Sequence, residues 1–200
     1  MNADKHPIVI SILYYAFFLS AGSILRSVVR RYVSREYQRY WLDLITTFSC
    51  LACSLENGHV RQQYGYGAYI ALLYMLVTWN SLTLFDSNNN PIYNVVAFAQ
   101  GYYTLARMLW LTTAQILGAW LSYQGAFAFW SLGLCVNHRQ RAAAVGCVTD
   151  LNVWEPHGFL LESSGTAFDI FLSLCTFSSS PQIEVSVKCL IIVLLTASGG

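Results

Sequence analysis

Asn90 and Pro91 are the residues of this sequence whose types and spacing best suit a chemical role. An asparagine before a helix can accept from the unpaired amides of its first turn. Pro91 fits the first helical position, where a missing N–H costs nothing, and it keeps the residue before it out of helical angles. Gly101 can end the same helix in a left-handed conformation. The spacing therefore predicts a helix over 91–100, roughly 15 Å long and about half a bilayer core. Broken helices whose N-termini face a cavity present amide donors at mid-membrane in channels and transporters. The competing reading of the same residues is a polar loop between two apolar spans.

Other groups suggest other chemistry. Asp43, Glu162 and Asp169 lie in apolar runs, and paired carboxylates that share a proton could do acid–base work. No Gly-x-Gly-Asp, no His-Glu-x-x-His and no serine in a nucleophile elbow accompanies them. No catalytic residue is assigned, and an enzyme is not expected. Cys50 and Cys53 form a C-x-x-C, but one turn apart inside an apolar run and with no second pair. Small buried thiols fit that setting better than zinc. No metal or cofactor is expected. Among the six cysteines, Cys147 alone lies clearly in a loop, so no disulfide framework is indicated. Gln115 is a lone amide deep in an apolar run, where it needs a protein partner.

The elements that must position these groups are membrane spans. The chain is 56% hydrophobic and only 10% charged, against roughly a quarter charged in soluble domains. The fold class expected is an all-α integral membrane protein crossing the bilayer several times, with lipid as its surroundings. The net charge of +1 says nothing about nucleic acid, and with no basic tract of interleaved aromatics to suggest it, nucleic acid is not expected as a partner. Spans are predicted over 8–25 (an uncleaved segment rather than a signal peptide), 40–55, 66–84, 103–134, 158–177 and 185–197. Arg26, Arg30, Arg31, Arg35 and Arg39 against Glu36 mark a short basic loop that should stay cytoplasmic. Glu56 to Gln63 reads as a polar connection on the opposite side, and Arg107 as a side chain reaching the headgroups. Four regions follow: 1–39, an apolar segment and basic loop; 40–136, a first repeat; 137–157, a linking loop; and 158–200, a partial second repeat.

The repeat rests on two similar span starts. Asp43-Leu44-Ile45-Thr46-Thr47-Phe48 aligns with Glu162-Ser163-Ser164-Gly165-Thr166-Ala167-Phe168 with one insertion. Inverted repeats of this kind underlie many channel folds. Together with Ala114-Gln115, Gly118 and Trp130-Ser131-Leu132-Gly133-Leu134, the order and spacing resemble the aquaporin (major intrinsic protein) family. The branch resembled is the divergent intracellular one, called superaquaporins or unorthodox aquaporins, and the likeness covers most of the chain from about Arg26 to Gly200.

The resemblance implies a helical bundle with a re-entrant half-helix and a passive channel for water or small neutral solutes such as glycerol. It implies Asn90, Pro91 and Ile92 as the pore motif, with Ile92 where the family has alanine. Asp43, Gln115 and Glu162 would support the half-helices, Asp43 standing where the family has glutamate, and Ile70 and Thr196 would line the pore. It also implies a homotetramer in an intracellular membrane such as the endoplasmic reticulum, with the plasma membrane as the alternative. A second Asn-Pro-Ala helix is expected just past Gly200, so the second repeat reads as cut short. A nonconducting membrane interaction or regulatory protein is the alternative function, and an intramembrane enzyme ranks below it.

Overall fold

The computed structural model describes residues 7–143 and 153–198, with side chains up to 195. Seven α-helices and no strands occur among the described residues: α1 (Pro7–Tyr32), α2 (Arg35–Thr83), α3 (Pro91–Ala99), α4 (Leu105–Ser131), α5 (Val136–Ala143), α6 (Glu155–Leu174) and α7 (Pro181–Ser198). The helical path of α2 breaks at Gly65, whose φ of 80° and ψ of 178° lie outside helical values. A side chain would be strained there, so glycine is required by conformation. The chain also divides at this point. One compact unit comprises residues 1–65 and 84–144, and the other residues 66–83 and 145–200.

In the first unit, α1 begins with Pro7 at its first turn and ends beside Arg30 and Arg31, cations that suit the negative end of a helix. Its 26 residues span about 39 Å. Among the described residues this is the one helix long and apolar enough to cross a membrane by length and composition. Its buried residues, Ser11, Tyr14, Tyr15, Phe18, Gly22, Arg26 and Val29, recur every three or four positions and form one seam. Along that seam Ser11 meets Glu56, Tyr14 meets the carbonyl of Ala52 and Arg26 meets Thr46. The partner numbers fall as those of α1 rise, so α1 and α2 are antiparallel. The seam is tight, because a Cβ on Gly22 would lie 2.1 Å from Ser49 Oγ.

Helix α4 buries a similar stripe of Leu111, Ala114, Gln115, Gly118, Ser122, Ala126 and Trp130. Its partners on α2 rise in step, from Asp43 opposite Gln115 to Glu56 opposite Trp130. The two helices therefore run parallel. Gly118 allows their close approach: a Cβ there would sit 2.4 Å from the Leu44 carbonyl oxygen. Gly133, at φ 64°, then turns the chain into α5.

Three stretches differ from the sequence expectation. The basic segment 26–39 is helical except for residues 33–34, and Arg26, Arg30 and Arg39 reach Asp86 across the fold without the helices unwinding. The polar stretch 56–63 is likewise helical, and Glu56, Asn57, His59 and Val60 are buried. The linking loop expected over 137–157 contains most of α5, and residues 144–152, with Cys147, lie outside the described part. Cys50 and Cys53 are buried free thiols on α2. In the second unit, α6 packs on α7. The turn between them is closed by Glu184, whose Oε2 accepts from the amides of Phe177 at 2.7 Å and Ser178 at 2.8 Å.

Candidate functional site at the Asn90 half-helix

Helix α3 is nine residues long and Pro91 stands in its first turn. Asn90, with φ −119° and ψ 116°, is its N-cap, and Oδ1 accepts from Ile92 N at 3.0 Å. The capping oxygen is thereby engaged, and the side-chain NH2 remains as the donor end of Asn90. At the other end Gly101 takes a φ of 80°, and its amide donates to Phe98 O at 2.9 Å. Ile92, Val95 and Phe98 form an exposed stripe along α3, while Asn94 is buried.

The loop entering α3 is held at several points. Asp43 is fully buried; its Oδ1 accepts from Asn88 N at 2.9 Å and its Oδ2 from Gln115 Nε2 at 3.3 Å. The same Gln115 nitrogen donates to Asn88 O at 3.0 Å, and Gln115 Oε1 accepts from Asn94 Nδ2 at 3.1 Å. One amide from α4 thus joins α2, the loop and α3. Arg39 Nε lies 3.0 Å from Asp43 Oδ1, close enough for an ion pair though not aligned as a hydrogen bond. Upstream, Asp86 gathers three arginines. Arg26 pairs with its Oδ1, Arg30 Nη2 donates to Oδ2 at 2.7 Å, and Arg39 Nη1 donates to its backbone oxygen at 2.6 Å. Burial pushes the Asp86 carboxyl up, but the Arg30 hydrogen bond and the charges of Arg26 and Arg30 outweigh it and hold the group below the usual range. Arg26 Nη1 and Thr46 Oγ1 also reach Ser87 Oγ, each at 2.7 Å.

Not every residue read from the sequence gathers here. Glu162 is exposed on α6 in the second unit and makes no hydrogen bond or ion pair among the described residues. Ile70 is half-buried in the same unit. Thr196 lies on α7, but its side chain is outside the described set.

A second polar cluster escaped the sequence reading. Glu56, fully buried, accepts from Ser11 Oγ at 2.7 Å and Trp130 Nε1 at 3.0 Å. His138 Nε2 lies 3.0 Å from its Oε1. His59, one turn along α2 and 2% exposed, stands edge-on to Trp130, with ring centroids 5.3 Å apart. The signal that could have found it was the Glu56-x-x-His59 spacing, which sets both side chains on one helical face.

Comparison with known proteins then places the chain. No family model matches it, and neither does any solved structure. It is 26% identical over 196 residues to aquaporin-11 of the tardigrade Milnesium tardigradum, covering 98% of this chain and 73% of that one. The chain is thus similar to aquaporins along nearly its whole length. A second aquaporin, the putative aquaporin-10 of Caenorhabditis elegans, is 25% identical over 148 residues, or 71% of this chain and 52% of its own length. Both names are those of channels rather than enzymes. The 196 matched residues take in the half-helix, Asp43 and Gln115 of this aquaporin relative, since they span nearly all of it.

Proposed function

We propose that this protein is a passive channel for water or small neutral solutes such as glycerol, with Asn90 as a donor in the pore. The observation that carries the reading is the anchored half-helix. Its N-cap oxygen is occupied by Ile92 N, and the loop before it is tied down by Asp43 and Gln115. A fixed asparagine NH2 can donate to a passing water oxygen, orient it and interrupt a chain of proton-conducting hydrogen bonds. The partial positive charge at the N-terminus of α3 adds a barrier to cations. Pro91 fixes the helix start, and Ile92, 42% exposed, is the residue that would narrow the passage where a smaller one would leave room.

The same reading makes the chain an integral, multi-pass membrane protein of the superaquaporin branch, a homotetramer resident in an intracellular membrane such as the endoplasmic reticulum. The lipid surroundings are supported by the outward faces of α1 and α4. Ile8, Ile12, Phe17, Ile24, Leu109, Trp110, Ile116 and Trp120 are all more than half exposed, a patchwork unsuited to water. Ile70 and Thr196 are proposed pore-lining residues, and Glu162 the support of a second half-helix. The test is stopped-flow light scattering on proteoliposomes carrying the full chain. Osmotic water permeability should exceed that of empty liposomes and fall at least severalfold in Asn90→Asp. Permeability equal to empty liposomes, with no effect of that substitution, would sink the channel reading.

A further inference from the structure

We propose that Glu56, His59 and His138 bind one divalent transition-metal ion of the zinc type, clamping α5 to α2 in the first unit. One ligand atom from each of the three lies within 4.8 Å of the others, and all three residues are buried. The independent observation is the state of the imidazoles. Both ring nitrogens of His59 and Nδ1 of His138 are buried without a hydrogen-bond partner among the described residues. Buried polar atoms are rarely left in that state, and such orphans call for an explanation. A metal ion would engage one of the two His59 nitrogens by using its lone pair as a ligand.

The surroundings suit an ion. Ser11 Oγ and Trp130 Nε1 donate to the two oxygens of Glu56, the kind of outer hydrogen bonding that orients a ligating carboxylate. Two imidazoles with one carboxylate select zinc and its neighbours rather than calcium or magnesium, which take oxygen donors. On binding, the His138–Glu56 hydrogen bond gives way to two bonds to the ion, and any proton between them leaves to solvent. The cluster stands apart from Asn90, so the clamp is independent of the channel reading.

The experiment uses the full chain in detergent, stripped with a chelator and titrated with zinc against a chromophoric zinc indicator, with His59→Phe in parallel. Phenylalanine keeps an aromatic ring against Trp130 and removes both nitrogens. The wild-type chain should take up a single equivalent and gain thermal stability with it, and His59→Phe should bind at least tenfold more weakly with its helix content kept. Equal binding by the two chains, or none by the wild type, overturns the site. X-ray absorption of the zinc-loaded wild-type chain gives a reading that needs no variant. Nitrogen and oxygen neighbours alone support the assignment, and a sulfur shell would move the ion to the cysteines and overturn it.

Discussion

Two polar networks lie along the same face-to-face packing of α2 and α4, thirteen residues apart on α2 and so separated by about 20 Å. The one at Asp43 is closed around its carboxylate, with Arg39 Nε alongside as an ion-pair partner that makes no hydrogen bond. Both carboxylate oxygens, both ends of the Gln115 amide and the Asn88 backbone are matched to one another. The one at Glu56 satisfies its acceptor through Ser11, Trp130 and His138 but leaves the His59 ring unmatched. A closed network can only hold a shape, and here it holds the entrance to a half-helix. An open one in the same packing has capacity left for a ligand. Burial of an acid therefore says little about its role until its neighbours are counted.

The contrast can be broken most severely at its closed end. Asp43→Ala removes the buried acceptor for Asn88 N and Gln115 Nε2 and the ion-pair partner of Arg39. Losing one partner of a buried charged network costs roughly 3–5 kcal/mol, so the chemical-unfolding midpoint should fall sharply and the segment 84–90 should become susceptible to protease. In the metal-free chain His59→Phe should do the reverse, leaving stability unchanged or raising it. If the two substitutions cost the same, the difference between the networks is not real. A smaller effect is expected at Asn90→Ala, which removes one cap from one short helix and should cost about 1 kcal/mol. Hydrogen exchange at the Ile92 amide should report it while α2 and α4 stay protected.

Acid should give the smallest effect and sharpen the account of the loop's base. The Asp86 carboxyl is held below its ordinary value. The stability linked to it is therefore complete above the unfolded pKa near ~4. It is lost as pH falls through the lower native value. Asp86→Asn should flatten that acid limb of a thermal-midpoint profile; an unchanged limb would show that the arginines hold the loop without the charge.

What was legible beforehand followed how local each cause is. Asn90, Pro91 and Gly101 act within a turn of themselves, and the predicted helix over 91–100 differs from the observed Pro91–Ala99 by one residue. The need of Gln115 for a protein partner was legible from its apolar surroundings, though which partners was not. Glu56 and His59 were read as part of a polar connection because their local surroundings are polar. Their partners lie 45 residues before, at Ser11, and 74 and 82 after, at Trp130 and His138. A window that averages hydropathy cannot see them. The basic stretch 26–39 failed for the same reason, since Asp86 stands 56 and 60 residues from Arg30 and Arg26.

Gly118 has a consequence for how the half-helix could be switched off. It lies one turn beyond Gln115 on α4, and only a hydrogen atom fits between that position and the Leu44 carbonyl. A single methyl there would push α4 away from α2 and draw the Gln115 amide from Asp43 and Asn88 together. The spacing that lets the latch engage is thus set by the residue with the least to contribute to it. A substitution that disables the latch need touch no polar atom at all.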